Sequence, residues 1–374
     1  MAIYLDYCAS TPIDPRVLQT MVDVYQNKPG NADSRTHIFG QQAKEVVNSS
    51  RRQIAQVLGV DPTEVIFTSG ATESDNTAII GLMNYGISSG KKHIITTAIE
   101  HKAVLEAVRF LEKRGFTVDY VKPDEKGRIH TEDVLNLLRV DTLLVSIMHV
   151  NNETGVIQPV SEIGEALSSQ KILFHVDAAQ SFGKLNNDLR ALKYDMLSIS
   201  GHKIHGPQGI GALILRRKAY QRPPVEPLLY GGQQEYGFRP GTTPVALVAG
   251  FATASEIMEK EYPAMIGSLQ KQKDYLISAL IPYGVLINGD LDNSLPNVLN
   301  FSIPNIDAEA FFAAQKDVYA VSNGSACTSG SYKPSYVLQA MGYGDERIAE
   351  ALRVSWWKEN FDINPLIRYI RDTQ

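Results

Sequence analysis

Short apolar runs that stop abruptly at polar residues recur along this chain, and between them apolar positions fall three and four apart. The short runs predict strands at 64–68, 93–97, 116–121, 142–148, 172–177, 196–200 and 210–215. The longer spacing predicts helices at 72–83, 131–138 and 161–167, and another after His101 with Val104, Leu105, Val108 and Leu111 on one face. Upstream, Asp14-Pro15 caps a helix whose face is Val17, Leu18, Met21, Val22 and Tyr25. Lys28-Pro29-Gly30-Asn31 ends it, and a second helix follows at about 40–58. Alternating strands and helices imply a mostly parallel sheet covered on both faces. The strand at 210–215 follows only a Gly206-Pro207-Gln208-Gly209 turn, too short for a parallel crossover, and is expected to be antiparallel. Beyond it the pattern changes to a long helix around 262–284, a strand at 297–303, a helix at 308–315, a Gly/Ser loop at 322–331, a helix at 335–341 and a strand at 353–357. The fold class is therefore α/β. A large domain over 16–255 carries a mostly parallel seven-stranded sheet, and a smaller α+β domain comprises 1–15 and 256–374, with a loop at 322–335.

Composition changes this picture little. The chain has 374 residues, 44% hydrophobic and 21% charged, with a net charge of −5, which argues against a nucleic-acid surface. The N-terminus has neither a basic region nor an apolar one, and no membrane-length apolar stretch follows, so a cytoplasmic protein is expected. Two cysteines, Cys8 and Cys327, cannot make a disulfide framework.

Candidate chemistry gathers at the strand ends. His175-Val176-Asp177-Ala178-Ala179-Gln180 and Ser198-Ile199-Ser200-Gly201-His202-Lys203 each close an apolar run, and α/β enzymes bind ligands at the carboxyl ends of such strands. An aspartate for a pyridinium nitrogen and a lysine for a Schiff base are the protein groups that pyridoxal 5′-phosphate requires. The small Ala178 and Ala179 leave room for a flat ring, and Gln180 can donate to its hydroxyl. The strand–turn–helix Thr68-Ser69-Gly70-Ala71-Thr72-Glu73-Ser74 offers free N–H groups for a phosphate, helped by Ser200 and His202. His101 can stack on a pyridine face and move protons, or simply cap the helix behind it. Cys327, in Ser325-Ala326-Cys327-Thr328-Ser329-Gly330, has Gly and Ser neighbours and no apolar periodicity, which suggests an accessible thiol on a mobile loop. Cys8 reads as packing. Gly206, Gly209 and Gly211 precede a strand and not a helix, which excludes a dinucleotide fingerprint, and the histidines lack metal-ligand spacing.

Taken together, Thr68-Ser69-Gly70-Ala71-Thr72-Glu73-Ser74, Glu100-His101-Lys102, His149-Val150-Asn151-Asn152-Glu153-Thr154-Gly155, His175-Val176-Asp177, Ser200-Gly201-His202-Lys203 and Gly324-Ser325-Ala326-Cys327-Thr328-Ser329 resemble the pyridoxal-phosphate-dependent cysteine desulfurases of the NifS/IscS type. The segment around Cys327 resembles the group with a long catalytic loop. The resemblance implies the fold type I transferase architecture, a homodimer with sites at the subunit interface, and L-cysteine as substrate. It implies Lys203 as the Schiff-base lysine, Asp177 on the ring nitrogen, Gln180 on the ring oxygen and His101 stacked on the ring as acid/base. It further implies Ala71, Thr72, Ser200 and His202 on the phosphate, with Thr242 reaching in from the partner subunit, and Asn152 and Arg353 on the substrate carboxylate. Cys327 would attack as thiolate and leave as a persulfide, with alanine as the other product.

Several positions depart from the housekeeping enzymes of that family. Trp356-Trp357 stands for the usual Leu-Gly, Tyr236 for a common Arg and Asn31-Ala32-Asp33-Ser34 for Asn-Pro-x-Ser, and the sequence stops at Gln374 without a longer tail. These features resemble the desulfurases of DNA phosphorothioation (the Dnd type), which implies a phosphorothioation enzyme as sulfur acceptor. An iron–sulfur scaffold or a tRNA thiolation pathway is the alternative acceptor. An aminotransferase or selenocysteine lyase of the same fold, or a non-catalytic partner of a sulfur pathway, are the rival readings.

Overall fold

The computed structural model describes residues 2–323, 334–357 and 361–373. Its strands are β1 (Ile3–Tyr4), β2 (Val65–Thr68), β3 (His93–Thr97), β4 (Thr117–Val121), β5 (Thr142–Met148), β6 (Leu173–Asp177), β7 (Met196–Ser200), β8 (Gly211–Leu215), β9 (Leu286–Ile287), β10 (Val298–Ser302), β11 (Tyr319–Ala320) and β12 (Ala351–Ser355). Seven of them form one sheet in the order β2-β8-β7-β6-β5-β3-β4. Only β8 runs antiparallel to its neighbours, as the short turn before it requires. In the rest of the chain β9, β10 and β12 make a small antiparallel sheet, and β1 pairs in parallel with β11.

Alternation along the strands sorts their side chains between two apolar layers. Val65, Phe67, Ile95, Val145, Phe174, Val176, Leu197 and Ile199 join one layer. Ile66, Ile94, Leu144, Met196 and Leu213 join the other, under the helices Ala71–Ile80 and Lys102–Glu112. Near the carboxyl ends this second face turns polar. Ser146, His175 and Ser198, all fully buried, take the places that apolar residues hold further back, and Asp75 on the helix Ala71–Ile80 faces them. The candidate site lies at that polar end.

Two helices differ from expectation. The run at 72–83 is two helices, Ala71–Ile80 and Met83–Ser89, because the chain breaks at Gly81. A Cβ at Gly81 would lie 2.4 Å from Thr77 O and 2.5 Å from Glu226 O. The long helix begins much earlier than 262 and spans Val245–Leu280, 36 residues, running unbroken through positions 255 and 256. Its first half, with Ala246, Val248, Ala249, Gly250, Phe251, Ala252, Ala254 and Ser255 all buried, packs against the helices Pro15–Asn27 and Ile38–Leu58. A helix buried all round has no amphipathic period to read. No helix among the described residues is long and apolar enough to cross a membrane.

Candidate active site

The carboxyl ends of β2, β3, β5, β6 and β7 open into a cavity of about 480 Å³. Ten of the residues singled out in the sequence line it: Ala71, Thr72, His101, Asn152, Asp177, Gln180, Ser200, His202, Lys203 and Arg353. Thr242 does not; it is exposed on the segment that precedes the long helix. Cys327 lies outside the described residues.

Asp177 is the last residue of β6, and its Oδ1 accepts the N–H of Ala179 at 2.9 Å, which fixes the carboxylate at the strand end. Burial raises its pKa, opposed by that N–H and by the nearby His101 and Lys203. Lys203 closes the short turn Gly201–Lys203 after β7. Its Nζ donates to the main-chain carbonyls of Cys8 (2.5 Å) and Ala9 (2.8 Å). Gln180 Nε2 donates to the same Cys8 carbonyl at 2.8 Å. Cys8 does pack among Val150, Leu295 and Val298, as expected, but it also lines the cavity and holds two of its polar groups.

His101 is both helix cap and cavity residue. Its Nδ1 accepts the N–H of Ala103 at 3.1 Å. Burial lowers its pKa, with Asp177 pulling the other way. The next helix starts at Ala71 after Gly70, which has φ 154° and offers no side-chain cap. Its first N–H groups therefore face the cavity without a capping oxygen. Gly211 permits this turn to sit tightly on β8, since a Cβ there would lie 2.7 Å from Gly70 Cα. Ser200 Oγ, buried beside the same turn, has no hydrogen-bond partner. His202, whose Nδ1 lies 3.2 Å from Ser10 Oγ, is pushed down to about 4 by burial and by Lys203. An uncapped helix start, an orphaned hydroxyl and a carboxylate lining one cavity fit the phosphate and ring nitrogen of a pyridoxal phosphate.

Arg353 of β12, which also lines the cavity, is 2% exposed. Its Nη1 donates to Asn152 O (2.8 Å) and its Nη2 to Asp6 Oδ1 (2.5 Å). Arg353 Nε and Asn152 Oδ1 are buried without a hydrogen-bond partner, which fits them to an incoming ligand.

Sequence reasoning missed three acids. Asp75, 1% exposed, lines the cavity with His175 Nε2 3.6 Å away, and its pKa is raised well above the usual range by burial and then by Asp177. Glu100 is pushed up to about 8 by burial, although Oε1 accepts Thr97 Oγ1 (2.7 Å) and Met148 N (3.0 Å). Asp6 belongs to a segment whose partners are hundreds of positions away. For Glu100 alone there was a local signal, its place directly before His101 at the end of a strand.

Comparison with known proteins agrees with this geometry. The family model for class-V aminotransferases matches residues 3–360. The chain is 48% identical over 358 residues to the cysteine desulfurase IscS of Pectobacterium carotovorum subsp. carotovorum (strain PC1), covering 95% of this chain and 88% of that protein. A solved NifS-like protein superposes with a TM-score of 0.90 at 38% identity, covering 100% of this chain and 99% of the other. DndA from Streptomyces lividans does so with a TM-score of 0.83 at 46% identity, covering 95% and 99%. The chain thus belongs to the class-V aminotransferases, a pyridoxal-phosphate-dependent family, and within it to the cysteine desulfurases of the NifS/IscS type.

Proposed function

We propose that this chain takes the sulfur of L-cysteine onto Cys327 and releases alanine. The observation that supports this most directly is the meeting of Lys203, Asp177 and His101 with Arg353 and Asn152 in one cavity. The bond changes balance without an added oxidant: the C–S bond of cysteine breaks, an S–S bond forms on Cys327, and the thiol protons end on alanine and the persulfide.

When bound, the cofactor supplies an electron sink that weakens the substrate C–S bond. The chain's own groups do the rest. The N–H groups at Ala71 and Thr72, with Ser200 and His202, hold the phosphate. Asp177 would keep a negative charge at the ring nitrogen, Gln180 would meet the ring oxygen, and Lys203 would hold the cofactor covalently. Arg353 takes the substrate carboxylate with Asn152 beside it. His101, with Nδ1 engaged by Ala103, moves protons at Nε2. Cys327 attacks as thiolate.

The reading extends to partners. Exposed Ile38 and Phe39 lie on one segment, and Leu229, Tyr230, Tyr236 and Thr242 on another. Gln234 Nε2 joins the two by donating to Asp33 Oδ2 at 2.9 Å. A second copy covering this apolar surface makes a homodimer in which Thr242 serves the neighbouring site. For the acceptor we favour a phosphorothioation enzyme, reached through protein contact in the cytoplasm, over an iron–sulfur scaffold. The departures Trp356-Trp357 and Tyr236 support it. Trp356 is buried, Trp357 stacks on Tyr262 (6.0 Å between centroids, 11° between planes), and Tyr236 lies under Arg51 and Arg222.

Incubation with L-cysteine and mass analysis of the tryptic peptides tests the proposal. Alanine and a 32-Da sulfur adduct (about the mass of one sulfur atom) on the Cys327 peptide are expected, with adduct and alanine both lost in Cys327→Ser. Unchanged turnover of cysteine by Cys327→Ser would instead mark a lyase or aminotransferase. Sulfur transfer measured in parallel to a phosphorothioation enzyme and to an iron–sulfur scaffold decides the acceptor.

A further inference from the structure

Two consecutive residues without the freedom of glycine, Glu235 and Tyr236, adopt left-handed backbone angles (φ 48° and 58°). That conformation is disfavoured wherever a Cβ is present, and it persists only where the surroundings hold it. Here the hold is visible. Arg51, from the helix Ile38–Leu58, forks onto Glu235 with Nη1 and Nη2 each 2.7 Å from a carboxylate oxygen, and both side chains are buried. Glu235 Oε2 also accepts the N–H of Phe67 at 2.8 Å. Phe67 lies in β2, one residue before the Thr68-Ser69-Gly70 turn. A second tie runs parallel to the first. Arg239 Nε donates to Glu73 Oε1 (3.2 Å), while Glu73 Oε2 accepts the N–H of Ser69 at 2.8 Å.

The segment 229–243 is therefore bound at two points to the turn that faces the cofactor phosphate in its own chain, while Thr242 at its end stays out of that chain's cavity. A buried bidentate ion pair is a poor source of stability but a good device for fixing one geometry. We propose that Arg51, Glu235, Glu73 and Arg239 form a clasp that locks this arm to the chain's own phosphate-binding turn, so that Thr242 is presented in register to the cofactor phosphate of a second copy. This rests on the homodimer described above and names its positioning residues. A clasp of this kind makes one phosphate turn the foundation for the neighbouring site.

Mixed dimers test it. One subunit carries Lys203→Ala and cannot bind pyridoxal phosphate covalently, so absorbance of the covalently held cofactor reports only the other subunit's site. Glu235→Gln placed in the Lys203→Ala subunit should weaken pyridoxal phosphate at the intact site about tenfold, the scale of one lost hydrogen bond to a charged group. Thr242→Ala in that same subunit should do likewise. Arg239→Ala, which leaves no buried charge unpaired, should act in the same direction if Glu235→Gln folds poorly. An effect only when the change sits in the cofactor-holding subunit, or none in either, would overturn the clasp. Sedimentation of the unmodified chain as a monomer would overturn the dimer reading itself, and the clasp with it.

Discussion

His101 Nδ1 accepts the main-chain N–H of Ala103, so the neutral imidazole must carry its proton on Nε2. The helix that His101 caps thus selects the tautomer for it. Burial holds the ring below its ordinary pKa, which favours the neutral form, and in this tautomer Nε2–H is the proton it can give and later recover.

Replacing this histidine separates capping from chemistry. His101→Asn keeps a capping side chain but has no group that titrates near neutrality. We expect cofactor binding to survive, with turnover of cysteine falling by about 10²–10⁴-fold, the range for one general acid–base group. Single-turnover kinetics with the cofactor absorbance followed in parallel would check it, and retention of full turnover would remove His101 from proton transfer.

Arg353 meets its ligand with a planar fork. Arg353→Lys keeps the charge and loses the fork, and it strands Asp6 and the Asn152 carbonyl from their donors. KM for L-cysteine should rise about 10- to 100-fold, the loss of a charge-assisted hydrogen bond, with cofactor absorbance unchanged. Equal loss of cofactor absorbance would mean that Arg353 serves the fold more than the substrate.

How much of this was legible in the sequence follows from the range of each interaction. Strand ends are local, so β3 and β5 appeared with their observed bounds and the positions of Asp177 and Lys203 at strand ends were legible. The cap at His101 is local too. The Cys8 carbonyl that binds Lys203 is 195 positions away from it, and Asp6 is 347 from Arg353. No periodicity reports such pairs. Asp75 was hidden differently: in the sequence it is one polar residue on a short helix, and only the packing of that helix over His175 makes it a buried acid. Arg51 and Glu235, 184 apart, belong with the first kind.

Buried bases and buried acids give opposite slopes of stability with pH. Burial holds His149 and His202 at about 4 and His175 at about 3, below the 6.5 of an unfolded histidine. The unfolded chain therefore binds more protons below pH 6.5, and their stabilising contribution is lost as pH falls from 6.5 towards 4. Glu100 works the other way. At about 8 against an ordinary 4.5, it favours the folded state at low pH, and that contribution is lost as pH rises through 8. Lys184 and Lys273, held near 8 against an ordinary 10.5, add stability as pH rises through 8 and so oppose Glu100 at the top of that range. Between pH 6.5 and 8 the Tm of Glu100→Gln should therefore rise more, or fall less, with pH than that of the wild type. Parallel slopes for the two proteins in a thermal melt series would refute it.

Gly70 joins strand geometry to cofactor binding. At φ 154° it turns β2 into the helix whose first N–H groups face the cavity, and a Cβ there would meet nothing within 4 Å. Space is therefore no obstacle to alanine, and only the backbone angle is. Gly70→Ala should cost about 1 kcal/mol or more of stability, since alanine resists that angle. If the chain relaxes to relieve the strain, the N–H groups at Ala71 and Thr72 swing away from the phosphate. We then expect weaker pyridoxal phosphate binding, with Asp177 and Lys203 untouched. Equilibrium titration of the apoenzyme with pyridoxal and with pyridoxal phosphate distinguishes the two contributions. The variant should lose affinity for the phosphorylated form and keep that for the free aldehyde, and an equal loss for both would place the damage at the ring and not at the phosphate turn.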